Sequence, residues 1–549
     1  MTTTDDFSTY VSDRLEGSYD CVDRITVRGY YPLGQTSGGL LTWWNQLFPD
    51  TALTEERLRK LAGDFGRRVN GYARKHKITL RYCATGEKDK HAQAVKLRPV
   101  DPHYRGVFAI LVAKAPGLVW QAKNNREGKV VVRRPKSWPL VYHYHFHIVD
   151  PEWGHVTIRM SGHPPFGLQI SLNGHEWIEH QARKQALFSV KQDNCFVGGS
   201  DLAGINRLAQ QLDGAQGLAL LGQVVDRWVY SACLCFALNF EQQKRSGFRY
   251  AYSCYQLEYS RNLVFKSGRQ MDEVYQGLID RTRRALDVAR LKTIFGRKQR
   301  PSKTKAREGR LEKIIERLDY DLTVFKVHFG KLTLKMYDKG DRVLRVEVIV
   351  NNIAELRCGK GLEKLPGMLE RLEGMVVRFL EVVQAAHLSF IDGQQLDALA
   401  APSVRGARRT AGVDLQKARM RAVAEAVIAL AAQPEGFTAA NLAERVRGQK
   451  GPAMASYVAR QAAYDLNKLR GKSLVERIDK TRRYRVSRPA IRTLVALQIL
   501  REQVIKPMLA GVCRPKRGRP PKTLHPLDDH YQKLQREMLA TFRTLKIAA

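Results

Sequence analysis

Residues 140–190 carry the pattern that most limits the fold. Val141–Val149 alternates as a β-strand does, so His143, His145 and His147 project to one face. Val156–Met160 and Leu168–Leu172 read as two further strands, and Asn173-Gly174 turns into a helix that begins near His175 and carries Arg183 and Lys184 toward its end. The expectation is a β-β-β-α unit. On the strand side, such a unit must bury its apolar alternate positions against other elements.

The flanking sequence supplies those elements. Thr54–His76 reads as an amphipathic helix with a basic face (Arg57, Arg59, Lys60, Arg67, Arg68, Arg74, Lys75), and residues 121–138 as a basic loop or hairpin that includes Arg133 and Arg134. Residues 201–245 are helical and apolar, and Tyr250–Phe265 is a strand or hairpin followed by a helix. Residues 297–310 hold seven Lys or Arg in fourteen positions without apolar periodicity, among them Arg297, Lys298 and Arg300, which marks a basic loop or linker. A meander follows (322–328, 332–337, 343–350), then a long helix over 368–387 and a basic linker at 402–411. The class is α+β. The expected domains are 1–138, an N-terminal α+β nucleic-acid-binding region; 139–296, the histidine-rich unit; 297–400, the meander with helices; 412–490, a helical module with a hairpin; and 491–549, a helix with a basic tail.

Charge narrows the function. The chain has 92 Lys and Arg against 54 Asp and Glu, a net of +38. Each cation that meets a phosphate releases condensed counterions, so nucleic acid is the partner such an imbalance favours, DNA before RNA. Residues 401–549 alone carry 31 Lys and Arg against 11 Asp and Glu, a net of +20. The eight cysteines are scattered with no C-x-x-C pair, so neither a zinc ribbon nor a disulfide framework is supported. No apolar run is long enough to span a membrane, and the polar start of the chain is no signal peptide. The expectation is a cytoplasmic, nucleoid-associated protein without a membrane partner; oligomeric state stays open.

Residues 414–486 read as three helices and a hairpin. Leu415–Ala432 is apolar-spaced, Thr438 can cap a short helix to Arg447, and Ala455–Arg470 turns Val458, Ala462, Leu466 and Leu469 inward. Its other face offers Arg460, Gln461, Asn467, Lys468 and Arg470, and the hairpin that follows places Arg482 and Arg483 at or beside its tip. This order resembles the winged helix of MarR-like regulators. Pro515-Lys516-Arg517-Gly518-Arg519-Pro520 resembles an AT-hook, which implies that Arg517, Gly518 and Arg519 lie along a narrow minor groove.

Chemistry has two candidate boxes. Half of the 14 histidines fall between His143 and His180. His145-Phe146-His147 resembles the metal-binding triplet of the HUH endonucleases, rolling-circle initiators and relaxases, in which strand histidines and a third ligand hold a divalent cation. A row of histidines on a sheet surface is the alternative. Asp150 and Glu152 follow the triplet, His155 and Arg159 lie on the next strand, and His175-Glu176 opens the helix. The second box, Lys335-Met336-Tyr337-Asp338-Lys339 with Arg345-Val346-Glu347, is similar to a stretch of small rolling-circle initiators; a structural cross-strand pair is again the alternative. The likeness implies catalytic roles for Asp150, Glu176, Tyr337, Lys339 and Glu347, and an Mg²⁺ or Mn²⁺ held by His145, His147, Asp150 and Glu347. No Tyr-x-x-x-Lys helix is attached to the histidine strands, which leaves hydrolysis as open as covalent attack by tyrosine. The whole chain is also similar to a widespread set of bacterial proteins that share the Asn173–Trp177 and Lys335–Lys339 boxes, a likeness that implies no particular activity. The two readings carried forward are a metal-dependent DNA endonuclease or replication initiator of a mobile element, and a non-catalytic DNA-binding regulator or protein part of a ribonucleoprotein.

Overall fold

The computed structural model describes residues 5–283 and 325–501, apart from 85–86, 88–89, 125–128, 200, 330–331, 340–341, 389–392, 406–407, 434 and 450–451, together with scattered residues at 529–540. The architecture is α+β with a large mixed sheet. The chain divides into two compact units. An N-terminal unit comprises Glu16–Asn262 with Glu347–Arg371, and a C-terminal unit comprises Met1–Leu15, Leu263–Val346 and Leu372–Ala549. Among the described residues no helix is long and apolar enough to cross a membrane.

The sheet strands are β1 (Leu15–Tyr30), β2 (Thr79–Tyr82), β3 (Gly106–Pro116), β4 (Leu140–Asp150), β5 (Gly154–Ser161), β6 (Leu168–Asn173), β7 (Ala251–Phe265), β8 (Phe325–Phe329), β9 (Leu332–Lys339) and β10 (Val343–Val350). In the N-terminal unit the neighbours run β10-β7-β1-β6-β5-β4-β3-β2. The β2–β3 pair is parallel, while β3–β4, β4–β5, β5–β6 and β1–β6 are antiparallel. The three alternating runs are therefore the meander β4-β5-β6, and the helix that follows is α3 below. The division expected at 138–139 is bridged by the pairing of β3 with β4, which places both sides of it in one sheet.

Alternation gives this sheet two unlike faces. Ile25 and Val27, Tyr144, Phe146 and Ile148, Val156, Ile158 and Met160, and Leu168, Ile170 and Leu172 are all buried. Helix α1 (Glu55–Lys75) packs on this side and buries Leu58, Leu61, Phe65, Val69 and Ala73, an i, i+3, i+4 stripe. Phe65 meets the Tyr144 ring at 4.9 Å and the Phe166 ring at 6.1 Å. Thr54 caps α1 through the Arg57 amide, and Glu55, Glu56, Arg74 and Lys75 are placed to suit its dipole. The helix expected over 54–76 thus forms within its caps.

The opposite face is polar. Helix α2 (Lys90–Val95) covers one end of it, where Ala94 joins Phe108, Ala109, Leu111 and Val149 in a buried cluster. Helix α3 (Gly174–Lys184) follows β6, and α4 (Ala215–Trp228) ends in Arg227 and Trp228.

In the C-terminal unit β8 pairs antiparallel with β9, which neighbours β10, as the expected meander requires. Helix Leu365–Leu388 is the long helix expected near 368–387. Helices α5 (Ala418–Leu430), α6 (Ala439–Arg447) and α7 (Ala459–Gly471) precede a hairpin of β11 (Val475–Arg477) and β12 (Tyr484–Val486). Helix α5 is buried almost all round, which marks it as the centre of the module. Thr438 and Asn441 form a capping box at α6. Phe437 exchanges backbone hydrogen bonds with Tyr484 at 2.9 and 2.8 Å, which adds one residue to the edge of the hairpin.

Candidate functional site

The Asn173–Trp177 box explains itself in structure. Asn173 caps α3 by accepting from the His175 and Glu176 amides. Gly174 is required by a close approach: a Cβ there would run into the Val22 carbonyl oxygen of β1 and press on Cys21 Sγ. His175 is then fully buried, with Nδ1 at 2.9 Å from Asp23 Oδ1 and 3.5 Å from Cys21 Sγ, while Nε2 lies 3.3 Å from the Tyr19 hydroxyl. Ser260 Oγ donates to Asp23 at 3.0 Å, and Trp177 packs beside Trp153. Among the described residues, Cys21, Asp23 and His175 form the group whose ligand atoms gather closely enough to hold a metal ion. The sulfur–oxygen–nitrogen set suits a borderline cation such as Zn²⁺ better than the Mg²⁺ or Mn²⁺ expected from sequence. Sequence reasoning missed this trio; the signal was Cys21 and Asp23 two apart on one strand.

The expected carboxylates have other partners. Asp150 is fully buried and accepts four hydrogen bonds, from the Glu152 and Trp153 amides (2.8 and 2.9 Å), Arg227 Nη1 (2.6 Å) and Trp228 Nε1 (2.7 Å). It closes the β4–β5 turn and anchors α4. Glu176 pairs with Arg98 (3.2 and 3.3 Å) and accepts from the His155 amide at 2.9 Å. Burial works to raise its pKa, but Arg98 and the His155 amide outweigh it and hold the carboxyl below its usual value.

One expectation is corrected outright. Glu347 was to approach the histidine strand and complete a cation site. It lies on β10, five strand positions from β4, which at about 4.8 Å per strand is about 24 Å along the sheet. Tyr337 and Lys339 lie on β9 of the C-terminal unit, where Lys335 sits 4.8 Å over the Tyr337 ring. His145, His147, Asp150 and Glu347 therefore do not form one metal site.

The histidines form a row on the polar face. His147 Nδ1 lies 3.0 Å from His155 Nε2 and 3.3 Å from Thr157 Oγ1, and His91 stacks on His155 with ring centres 4.8 Å apart. Burial lowers four of them, with neighbouring cations or imidazoles adding to it: His143 to about 4, and His145, His147 and His155 to about 3. These four are neutral at physiological pH.

Next to the histidines the polar face carries charge. Register places Arg28 opposite Gln169, Gln169 opposite Arg159, and Arg159 opposite His145. The Arg28 guanidinium lies 3.4 Å over the Tyr255 ring of β7. Arg159 reaches Gln169 Oε1 at 3.5 Å and His143 Nδ1 at 3.4 Å. Burial, then the Arg28 charge, push its pKa below the usual arginine value. Arg24 on the same face pairs with Glu258 at 3.6 Å. Arg28 and Tyr255 were missed; the signal was Arg24-x-Thr26-x-Arg28 alternating with Ile25 and Val27.

The basic residues expected to meet nucleic acid separate into groups. Arg460 and Arg482 are exposed, Arg470 is half-buried, and Gln461, Tyr464 and Asn467 share the exposed face of α7. Lys468 is a correction: it is 9% exposed and lies 3.6 Å from Asp465, a fully buried carboxylate that also accepts from Arg419 (3.0 Å) and the Tyr457 hydroxyl (2.8 Å). Arg483 donates to the Glu435 and Gly436 carbonyls at 2.5 and 2.7 Å and so holds the hairpin. Arg133 and Arg134 are exposed, with Arg134 over the Trp120 ring at 4.9 Å. Arg297, Lys298, Arg300, Arg517, Gly518 and Arg519 lie outside the described residues.

Comparison with family models, with curated proteins and with solved structures returned no match.

Proposed function

We propose that this is a nucleic-acid-binding protein whose C-terminal unit docks on duplex DNA as a winged helix. The observation that carries the reading is the outward face of α7, where Arg460, Gln461, Tyr464 and Asn467 are all exposed, followed by a hairpin with Lys480 and Arg482 exposed at its tip. Long polar side chains on one helix face suit base edges in a major groove, and a basic hairpin suits the adjoining backbone. The net charge of +38 supplies the sequence-independent attraction. Arg517-Gly518-Arg519 adds a minor-groove contact in this reading, and a place on the bacterial nucleoid goes with it. Binding is favoured over cleavage because Asp150 and Glu176 are engaged by fixed donors and Glu347 lies five strands from the histidines.

The test is fluorescence anisotropy of the full chain on a duplex over a range of salt. Arg460→Ala with Asn467→Ala, and Lys480→Ala with Arg482→Ala, should each weaken binding. Each lost phosphate contact should reduce the salt slope by about 0.9. Unchanged affinity and slope in both double variants would reject the winged-helix reading.

A further inference from the structure

We propose that the uncovered part of the polar sheet face in the N-terminal unit is a second nucleic-acid site, which takes a single strand along the row Tyr255, Arg28, Gln169, Arg159. Nothing in the duplex reading requires it, because every residue of the row belongs to the other unit.

Register builds the row. Arg28, Gln169 and Arg159 occupy directly paired positions on β1, β6 and β5. The Cα positions of the two arginines therefore stand two strands apart, about 10 Å. Among the described residues neither has a carboxylate at ion-pair distance, and Glu258 lies beside Arg24 at 3.6 Å. Arg159 is half-buried and its hydrogen-bond partners are neutral. Two cations on one face, one of them partly out of water, repel each other and are relieved by an anion between them. The flanking histidines are neutral and offer no competing charge.

The row also has a stacking surface. The Arg28 guanidinium carbon lies 3.4 Å over the Tyr255 ring centre and Arg28 is exposed, so a planar cation backed by an aromatic ring is open to a ligand. Ser171 and Thr157 lie half-buried on the same face and carry short hydroxyl groups. Unstacked bases use such a combination: a π-surface under the ring, hydrogen bonds at its edge, and cations for the backbone. A duplex gains little here. Its bases are stacked internally and offer the Arg28–Tyr255 surface nothing to stack on.

The experiment uses the full chain carrying Arg460→Ala, Asn467→Ala and Arg482→Ala, so that the C-terminal unit contributes least. Fluorescein-labelled dT₁₂ and U₁₂ and a 12-base-pair duplex are titrated at several salt concentrations, with thymidine monophosphate as competitor. Arg28→Ala should weaken binding to at least one of the two single strands by about tenfold and leave the duplex within about twofold. Arg28→Ala with Arg159→Gln should reduce the single-strand salt slope by about 1.4, two contacts at about 0.7 each. Arg28→Lys keeps the charge and loses the plane, so it should weaken single-strand binding with the slope unchanged. It also covers the case in which Arg159→Gln fails to fold. Loss of one strand type alone tells DNA from RNA and supports the site. Equal loss on duplex and single strands, no loss on either single strand, or competition by the monophosphate as strong as by the 12-mers would overturn it. None of these outcomes depends on whether the winged-helix variants lose duplex affinity.

Discussion

His147 and His155 meet nitrogen to nitrogen at 3.0 Å in the interior of the N-terminal unit, on adjacent strands and two residues out of direct register. One ring must donate and the other accept, so the contact requires at least one neutral imidazole. Burial lowers both to about 3, from an ordinary value of 6.5. The unfolded chain therefore binds more protons than the folded one between pH 6.5 and 3. Stability should be level above pH 6.5 and fall as the solution is acidified through that window. At pH 5.5 each such histidine should cost about 1 kcal/mol relative to pH 7.5. A thermal-melt series should show the first transition falling over that range, and His155→Gln should flatten the fall. A Tm that stays constant from pH 7.5 to 5.5 would contradict the neutral assignment.

Gly174→Ala should be among the most damaging single-methyl substitutions in the chain. The added carbon would run into the Val22 carbonyl and crowd Cys21, which are backbone and a packed core side chain. Such overpacking costs about 1–3 kcal/mol. Far-UV circular dichroism in urea should show a lower midpoint, whereas Gly71→Ala, where the space is open, should show little change.

Asp465→Ala should destabilise the C-terminal helical module by about 3 kcal/mol, because it leaves Arg419 and Lys468 beside an empty buried site. Lys468→Ala should act in the same direction and more weakly, since Asp465 keeps Arg419 and Tyr457. Both should lower the urea midpoint of the C-terminal unit. Lys468→Ala should leave the duplex salt slope unchanged; a slope reduced by a full phosphate contact would return Lys468 to the DNA interface.

Millimolar Mg²⁺ or Mn²⁺ should leave Tm unchanged. The one gathered ligand group among the described residues carries sulfur and imidazole nitrogen beside a single carboxylate. Stabilisation by a cation should appear with Zn²⁺ and disappear in Cys21→Ala. A Tm increase that requires Mg²⁺ would show that carboxylates do converge on a cation.

Local patterns made part of this legible. Alternation placed β4, β5 and β6, and cap residues bounded α1, because both report only the side chain's own neighbourhood. The Asn173–Trp177 box was visible as a motif, but its meaning depends on Cys21 and Asp23, some 150 residues earlier. Glu347 was misplaced for the same reason. Neighbours in a sheet are chosen by long-range pairing, and no local period reveals that β1, β6 and β7 separate β10 from the histidine strands. The Arg28–Arg159 row was hidden likewise, since its residues come from strands over 130 positions apart in the chain.

The place of β1 in the sheet has a consequence for how the protein is made. It is made before both of its neighbours, β6, which ends at Asn173, and β7, which begins at Ala251. One edge stays unpaired until β6 is made and the other until β7 is made, more than 200 residues after Tyr30, and pairings of such sequence separation form slowly. An exposed strand edge invites association with other chains. The positive charges of Arg24 and Arg28 on β1 disfavour such pairing between nascent chains through like-charge repulsion.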